Sequence, residues 1–507
     1  MNAPAVPLSE AQGPAAALER ALVLATCTAV TFLYAMTVTI ANVSLPQMQG
    51  ALSAAPDQIA WVVTSNIVAT AIMTPLSGWL VTRFGRRLLC NVCVIGFAGA
   101  SLGCGLSDSL AELVLFRVLQ GGFGAPLVPV SQAIVLDTYA KHRHGVVIAI
   151  FGMGSVLGPI VGPVAGGWLS EIYNWRWVFY MIVPFALLAL LGTLAFIHDR
   201  ESTVKARLDW LGFILLSAAL ATLQLMLDRG ESADWFDSAE IVAWGAIAAL
   251  ALYAFIVHSA TTKRPFLDPK LFADRNFSVG IVLIFVFGML NFTPMTLLPP
   301  MLQGVSGYPD SVIGFVLGAR GLGTLVGFFL MIFASRLDPR AMIMLGFLLQ
   351  AYAGWQLAQL DMNPSTASVF WPMAIQGFGV GVLWVPITVV SFATLDASRI
   401  AEASAVYHMV RNIGSSIHIS LSFTLAVRMS RASYAEIAER VTPYSDSFVM
   451  PWISGAWNLQ EARGLAAVAR EMARQSAMIG YLDAFVFFIA TSLAVLPLVL
   501  LIRLKRS

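Results

Sequence analysis

The sequence predicts an all-α polytopic membrane protein: two six-helix halves with two further helices inserted between them, fourteen transmembrane helices in all. Three observations predict it. Of 507 residues, 58% are hydrophobic and only 11% charged, where soluble domains carry about 25% charged residues. The apolar residues fall in runs of about 20, the length at which a helix crosses the hydrocarbon core of a bilayer. Short motifs from the first part of the chain return in the last. This composition excludes a cytosolic enzyme, a nucleic-acid binder and a disordered chain. The net charge of +2 points to no electrostatic partner.

Residues 1–20 are a polar, cytoplasmic lead-in without the basic start or cleavage site of a removed signal, so the first apolar run is expected to stay as a helix. Runs at 21–45, 57–81, 88–107, 111–138, 145–169 and 176–198 make up the N-terminal half, 21–198. Runs at 209–228 and 238–260 are the inserted pair, 209–260. Runs at 276–304, 309–334, 340–359, 367–394, 403–427 and 478–502 make up the C-terminal half, 276–502. None alternates as a barrel strand does. Cys27, Cys90, Cys93 and Cys104 lie in or beside these runs; the C-x-x-C of Cys90 and Cys93 reads as small residues one turn apart on a lipid-embedded helix, not as a redox or metal motif.

Orientation follows from Lys and Arg in the short loops. Arg83, Arg86, Arg87, Lys141, Arg143, Lys263, Arg264, Lys270 and Arg275 fall on one side, against Arg176 and Arg229 on the other. Both termini are therefore expected in the cytoplasm. The loop 428–477 is expected on the periplasmic side, with an amphipathic helix from Asn458 to Ala477. It is too long for the charge rule, and reads equally as a partner-docking surface or a solvated cap.

The internal repeat is specific. Span 4 carries QGGFG from Gln120, then Pro126 and Pro129; span 12 carries QGFG from Gln376, then Pro386. Arg83 and Arg87 follow span 2 as Arg336 and Arg340 follow span 10. Parallel six-helix halves are a plan of secondary transporters, with the substrate site near the midplane between the halves.

Three motifs sharpen the reading. The loop after span 2 contains Gly78, Arg83, Gly85, Arg86 and Arg87. It resembles the signature loop of the major facilitator superfamily, G-x-L-[AV]-D-R-x-G-R-R, with Thr82 in place of its Asp. Span 5 reads GPIVGPVAGG from Gly158, with Gly162, Pro163, Gly166 and Gly167, and is similar to that superfamily's antiporter motif. Its small residues let helices approach closely, and the resemblance implies a pliable contact between halves. On span 4, Arg117 precedes Gln120 and Gly121, similar to the R-x-x-Q-G of proton-coupled facilitators. The TIANVSLP ending of span 1, with Asn42, the LDRGESADWF segment from Leu227 and the HMVRNIGSSI of span 13 resemble the EmrB/QacA subfamily of fourteen-helix drug:proton antiporters. The resemblance implies a multi-pass inner-membrane multidrug exporter driven by protons, with a periplasmic membrane-fusion adaptor and an outer-membrane channel as partners. It implies no cofactor and no metal.

The residues themselves add two expectations. The subfamily's first span commonly has an Asp five positions before the residue matched by Asn42; here it is Thr37, which cannot titrate. No acid lies deep in a span, which leaves Asp483, near the outer start of span 14, and His408 and His418 as proton carriers. The histidines are ten positions apart and face different ways. Arg117, Arg320 and Arg411 lie inside spans without a deep acid to balance them. A cavity they shared would be electropositive and suit neutral or anionic amphiphiles, weak acids included. Tyr34, Met36, Phe123, Phe287, Asn291, Trp355 and Trp384 are pocket candidates by span position. Competing readings are a dedicated exporter of one endogenous metabolite or siderophore, and an uncoupled transporter or sensor. An intramembrane enzyme or nucleotide-driven pump lacks its motif here: no H-E-x-x-H, G-x-S-x-G at a helix start or phosphate loop occurs.

Overall fold

A computed structural model describes residues 14–54, 56–198, 207–334, 337–442, 457–459 and 461–502. The expected segments 1–13, 199–206, 335–336, 443–456 and 503–507 lie outside the described residues, Arg336 among them. Among the described residues, fourteen long helices form. The first half has α1 (Pro14–Val43), α2 (Trp61–Phe84), α3 (Arg86–Leu106), α4 (Leu110–Gly124, continuing as Leu127–Thr138), α5 (His144–Ile172) and α6 (Ile182–Phe196). The inserted pair is α7 (Trp210–Arg229) and α8 (Ala239–Thr261). The second half has α9 (Arg275–Gly304), α10 (Asp310–Ala334), α11 (Pro339–Leu357), α12 (Thr366–Phe392), α13 (Ile400–Arg440) and α14 (Ala462–Ala494).

Local chemistry sets the ends. Asp274 accepts from the Phe277 amide at 2.8 Å and Asp338 from Arg340 at 2.8 Å, capping α9 and α11. Ser109 caps α4 by accepting from Glu112, whose carboxylate accepts in turn from the Asp108 amide at 3.0 Å. The break in α4 falls at Ala125 and Pro126, where proline removes a backbone donor. Outward-facing Leu188, Leu250 and Phe333 are each about two-thirds exposed. Such a belt suits lipid, and it accounts for the composition.

Twelve of these helices are long and apolar enough to cross a membrane; α11 and α13 are not among them. Both carry polar side chains that turn inward onto neighbours instead of facing lipid, such as Gln350 to Gln376 and His418 to Thr293. Helix ends also differ around the expected 428–477 loop. Helix α13 runs on to Arg440 and α14 begins at Ala462, so the expected amphipathic helix is the continuous start of α14. A polar face on that stretch reads from sequence as a separate surface helix, yet nothing in it breaks the backbone ladder.

Candidate functional site

The halves meet where α2, α4 and α5 face α10, α12 and α13. At the end bearing the arginine loops, Lys141 donates to the Ala393 carbonyl at 2.8 Å and Ser404 to that of Pro129 at 2.9 Å. Gly78 lies so close to α13 that an added Cβ would stand 2.9 Å from the Glu402 Cα. The seam is closed at this end. At the opposite end the inserted pair touches both halves. Thr64 of α2 donates to the Asp228 carboxylate of α7. On the other side, Ser420 of α13 donates to the Leu227 carbonyl at 2.8 Å and the Trp235 indole to Thr424 at 2.9 Å.

The signature loop is a tight turn at Gly85, whose φ of 82° favours glycine. Arg83 is exposed, Arg86 pairs with Asp137 at the end of α4 at 2.5 Å, and Arg87 donates to the Leu194 carbonyl at 2.8 Å. Thr82 instead bonds the Trp79 carbonyl of its own helix. Asp137 thus supplies the loop with a carboxylate that position 82 lacks. Its place at the end of the fourth span was the available signal.

The glycine stripe of α5 corrects the expectation of a contact between halves. Added Cβ atoms at Gly158, Gly162 and Gly166 would come within 2.6 to 2.7 Å of Met36, Thr39 and Ile40 on α1, a helix of the same half. Gly167 is half-buried, and Pro163 lies on the same helix within the stripe. The contact of α5 with the second half is made by a different face: Ile160 lies against Gly321 and Gly152 against the Phe328 ring of α10.

Two of the three membrane arginines do not share a cavity either. Arg117 is buried, donating to the Val62 carbonyl at 2.8 Å and to Gln120 at 2.6 Å; Gln120 donates onward to Ser101 at 2.7 Å. Arg320 is likewise buried, donating to Gln376 at 2.8 Å and to the Asn291 side chain at 2.7 Å, while Gln376 donates to Gln350 at 3.0 Å. These are repeat-related clasps. Gly121 packs against the Asn66 carbonyl of α2 as Gly377 packs against the Arg320 carbonyl of α10, which makes Asn66 and Arg320 equivalent positions. A guanidinium comes from α4 in one half and α10 in the other, yet each ends on the equivalent glutamine. Buried polar groups need partners, and here each half satisfies its own.

Arg411 is the different one. It is half-buried on α13, lies over the Trp384 ring at 5.3 Å, and its side-chain acceptor is the adjacent Asn412 at 3.0 Å. Trp384 also touches Phe287 and His408, with ring centroids 5.4 and 5.9 Å apart. His408 Nε2 bonds the side-chain oxygen of Gln132 on α4 across the seam, a glutamine the sequence reading passed over. A lone amide inside an apolar run was its signal.

The other candidates lie apart. His418 is enclosed in the second half, sharing hydrogens with Thr293 at 2.8 Å and Thr491 at 3.3 Å and stacking on Phe487. Asp483 is half-buried and well inside α14 instead of at its outer start, because that helix begins earlier than its apolar run. Thr37 is buried and donates to the Leu33 carbonyl of its own helix. Asn42 ends α1 beside Val43. Trp355 is half exposed and stacks on Tyr352, and Asn291 is held by Arg320; neither lines the seam with Arg411.

Residues 27–418 match the Major Facilitator Superfamily. The chain is 35% identical over 422 residues to Multidrug export protein EmrB of Escherichia coli (strain K12), covering 82% of each chain. It is 34% identical over 420 residues to Fatty acid resistance protein FarB of Neisseria gonorrhoeae, again with 82% of each covered. Among solved structures, the proton:xylose symporter XylE superposes with a TM-score of 0.59 at 12% identity, over 91% of this chain and 95% of that one. The human organic anion transporter MFSD10 gives 0.58 at 14% identity, over 95% and 100%. With the closed two-half seam and the paired clasps, these matches establish that the chain belongs to the major facilitator superfamily.

Proposed function

We propose that the protein is a secondary exporter of amphiphilic compounds, weak acids included, driven by the proton gradient across the inner membrane with both termini in the cytoplasm. The observation that carries this reading is the seam. Within it His408 bonds the Gln132 side chain of the other half, and Arg411 rests on Trp384 without a clasp of the kind that holds Arg117 and Arg320. Cargo leaves on the outward stroke, and His408 carries the proton on the return. Protonation at the unpartnered Nδ1 of a histidine bonded across the seam would bear directly on how tightly the halves hold. The relatives named for multidrug export and fatty acid resistance support the cargo class. In this reading the Arg83–Arg87 turn, with Gly78 and Asp137, locks the cytoplasmic end, and the α5 stripe lets α1 and α5 slide as one unit. The outer ends of α13 and α14 face a periplasmic adaptor that leads to an outer-membrane channel.

The test is efflux in everted vesicles, with an imposed proton gradient and then with that gradient collapsed by an ionophore. Gradient-dependent accumulation of an amphiphilic weak acid is expected. Accumulation indifferent to the ionophore would contradict proton drive, and would favour an uncoupled carrier that retains nothing in place of the missing Asp at Thr37.

A further inference from the structure

We infer that Arg411, Trp384 and Gln132 form the seat for a single negatively charged head group, a carboxylate above all, on the cargo. The inference rests on the exporter reading and names the subsite within it. Among the described residues, the Trp384 indole nitrogen and the Gln132 amide nitrogen are buried without any hydrogen-bond partner. Trp384 is 5% exposed and Gln132 fully buried. Both are donors, and an unpartnered buried donor is rare in a settled protein interior. Arg411 adds a guanidinium that rests on the Trp384 ring and reaches only its neighbour's amide oxygen. Contact runs continuously from Arg411 to Trp384, then to His408, then to Gln132 across the seam.

The contrast with Arg117 and Arg320 assigns the role. Those guanidiniums have their acceptors supplied by Gln120, Gln376 and Asn291, so they hold helices together. Arg411 has no such clasp, no carboxylate pairs with it among the described residues, and it stands partly open where the halves must part. A set made of donors plus one fixed positive charge selects an acceptor carrying one negative charge. Phe287 and the Trp384 ring offer apolar surface beside it for the attached chain. An anion leaving a cell is also moved in the favourable direction by an inside-negative potential. Cargo of this class therefore depends less on an acidic residue at position 37 than a cation would.

The test uses the full chain in lipid nanodiscs with two fluorescent probes, dansyl-undecanoic acid and its methyl ester, titrated at neutral pH. The wild type is expected to prefer the acid by about ten-fold or more, the range for a hydrogen bond to a charged group. Arg411→Gln should erase that preference and Trp384→Phe should reduce it, while Arg411→Lys, which keeps the charge, should retain part of it. Equal binding of both probes by the wild type, or an undiminished preference in Arg411→Gln, would overturn the inference. Preference for the acid without gradient-driven flux in the everted vesicles would leave the seat standing and overturn the exporter reading. Flux without preference would overturn the seat alone.

Discussion

At Gln376 a single amide decides whether a buried cation is satisfied. Its oxygen accepts from Arg320, and its nitrogen donates to Gln350. Gln376→Leu leaves a guanidinium donor buried without an acceptor, which costs about 2 kcal/mol. Thermal unfolding of the purified protein should fall measurably, and Gln120→Leu should do the same in the other half. Unchanged melting in both would mean the clasps are not structural. Gly158 is equally exacting, since its Cβ position lies 2.6 Å from the Met36 amide nitrogen. Gly158→Val should push α1 off α5 and lower both yield and melting temperature, whereas Gly50→Ala, where an added Cβ meets nothing, should not. Sequence alone showed the arginines and the glycine spacing. Whether an arginine is clasped, like Arg320, or open, like Arg411, depends on residues from other helices, and no local pattern encodes that.

Among the elements, the inserted pair has its own fastening. Asp209 caps α7 by accepting from the Gly212 amide at 3.1 Å, and also accepts from His258 of α8 at 2.9 Å and the Phe266 amide at 3.0 Å. Burial alone would raise its pKa, but these donors outweigh burial and hold the carboxyl below its ordinary 3.8. A depressed folded pKa contributes stability that is present above the unfolded value and lost as pH falls through the folded one. Asp209→Asn should therefore cost about 1 kcal/mol near neutrality, and that difference from wild type should vanish on acidification below pH 3.8. Thermal unfolding of Asp209→Asn and wild type compared across that pH range would check it, and a difference that persists in acid would contradict it. The helices themselves were legible from apolar runs, because lipid forces every backbone group into a helix. Their ends were less so. The starts of α14 and the end of α13 are polar stretches that stay helical, and hydropathy sees only where apolar character stops.

The whole molecule is two halves joined at one end by short-range contacts and straddled at the other by the inserted pair. Its two-half plan was visible in the repeated QGGFG and QGFG, since symmetry-related cores reuse the same small residues. The side of α5 that faces the partner half was not, because a glycine stripe says that some helix comes close and leaves open which one. Export by this molecule requires that the closed seam part during each cycle. The most direct measurement joins Gly78→Cys to Glu402→Cys, since a Cβ placed at Gly78 stands 3.5 Å from the Glu402 Cβ across that seam, the separation a disulfide spans, in a background without the native cysteines. With the disulfide formed, gradient-driven efflux from everted vesicles should stop, and reduction should restore it. Efflux that continues at full rate with the seam cross-linked would contradict the account.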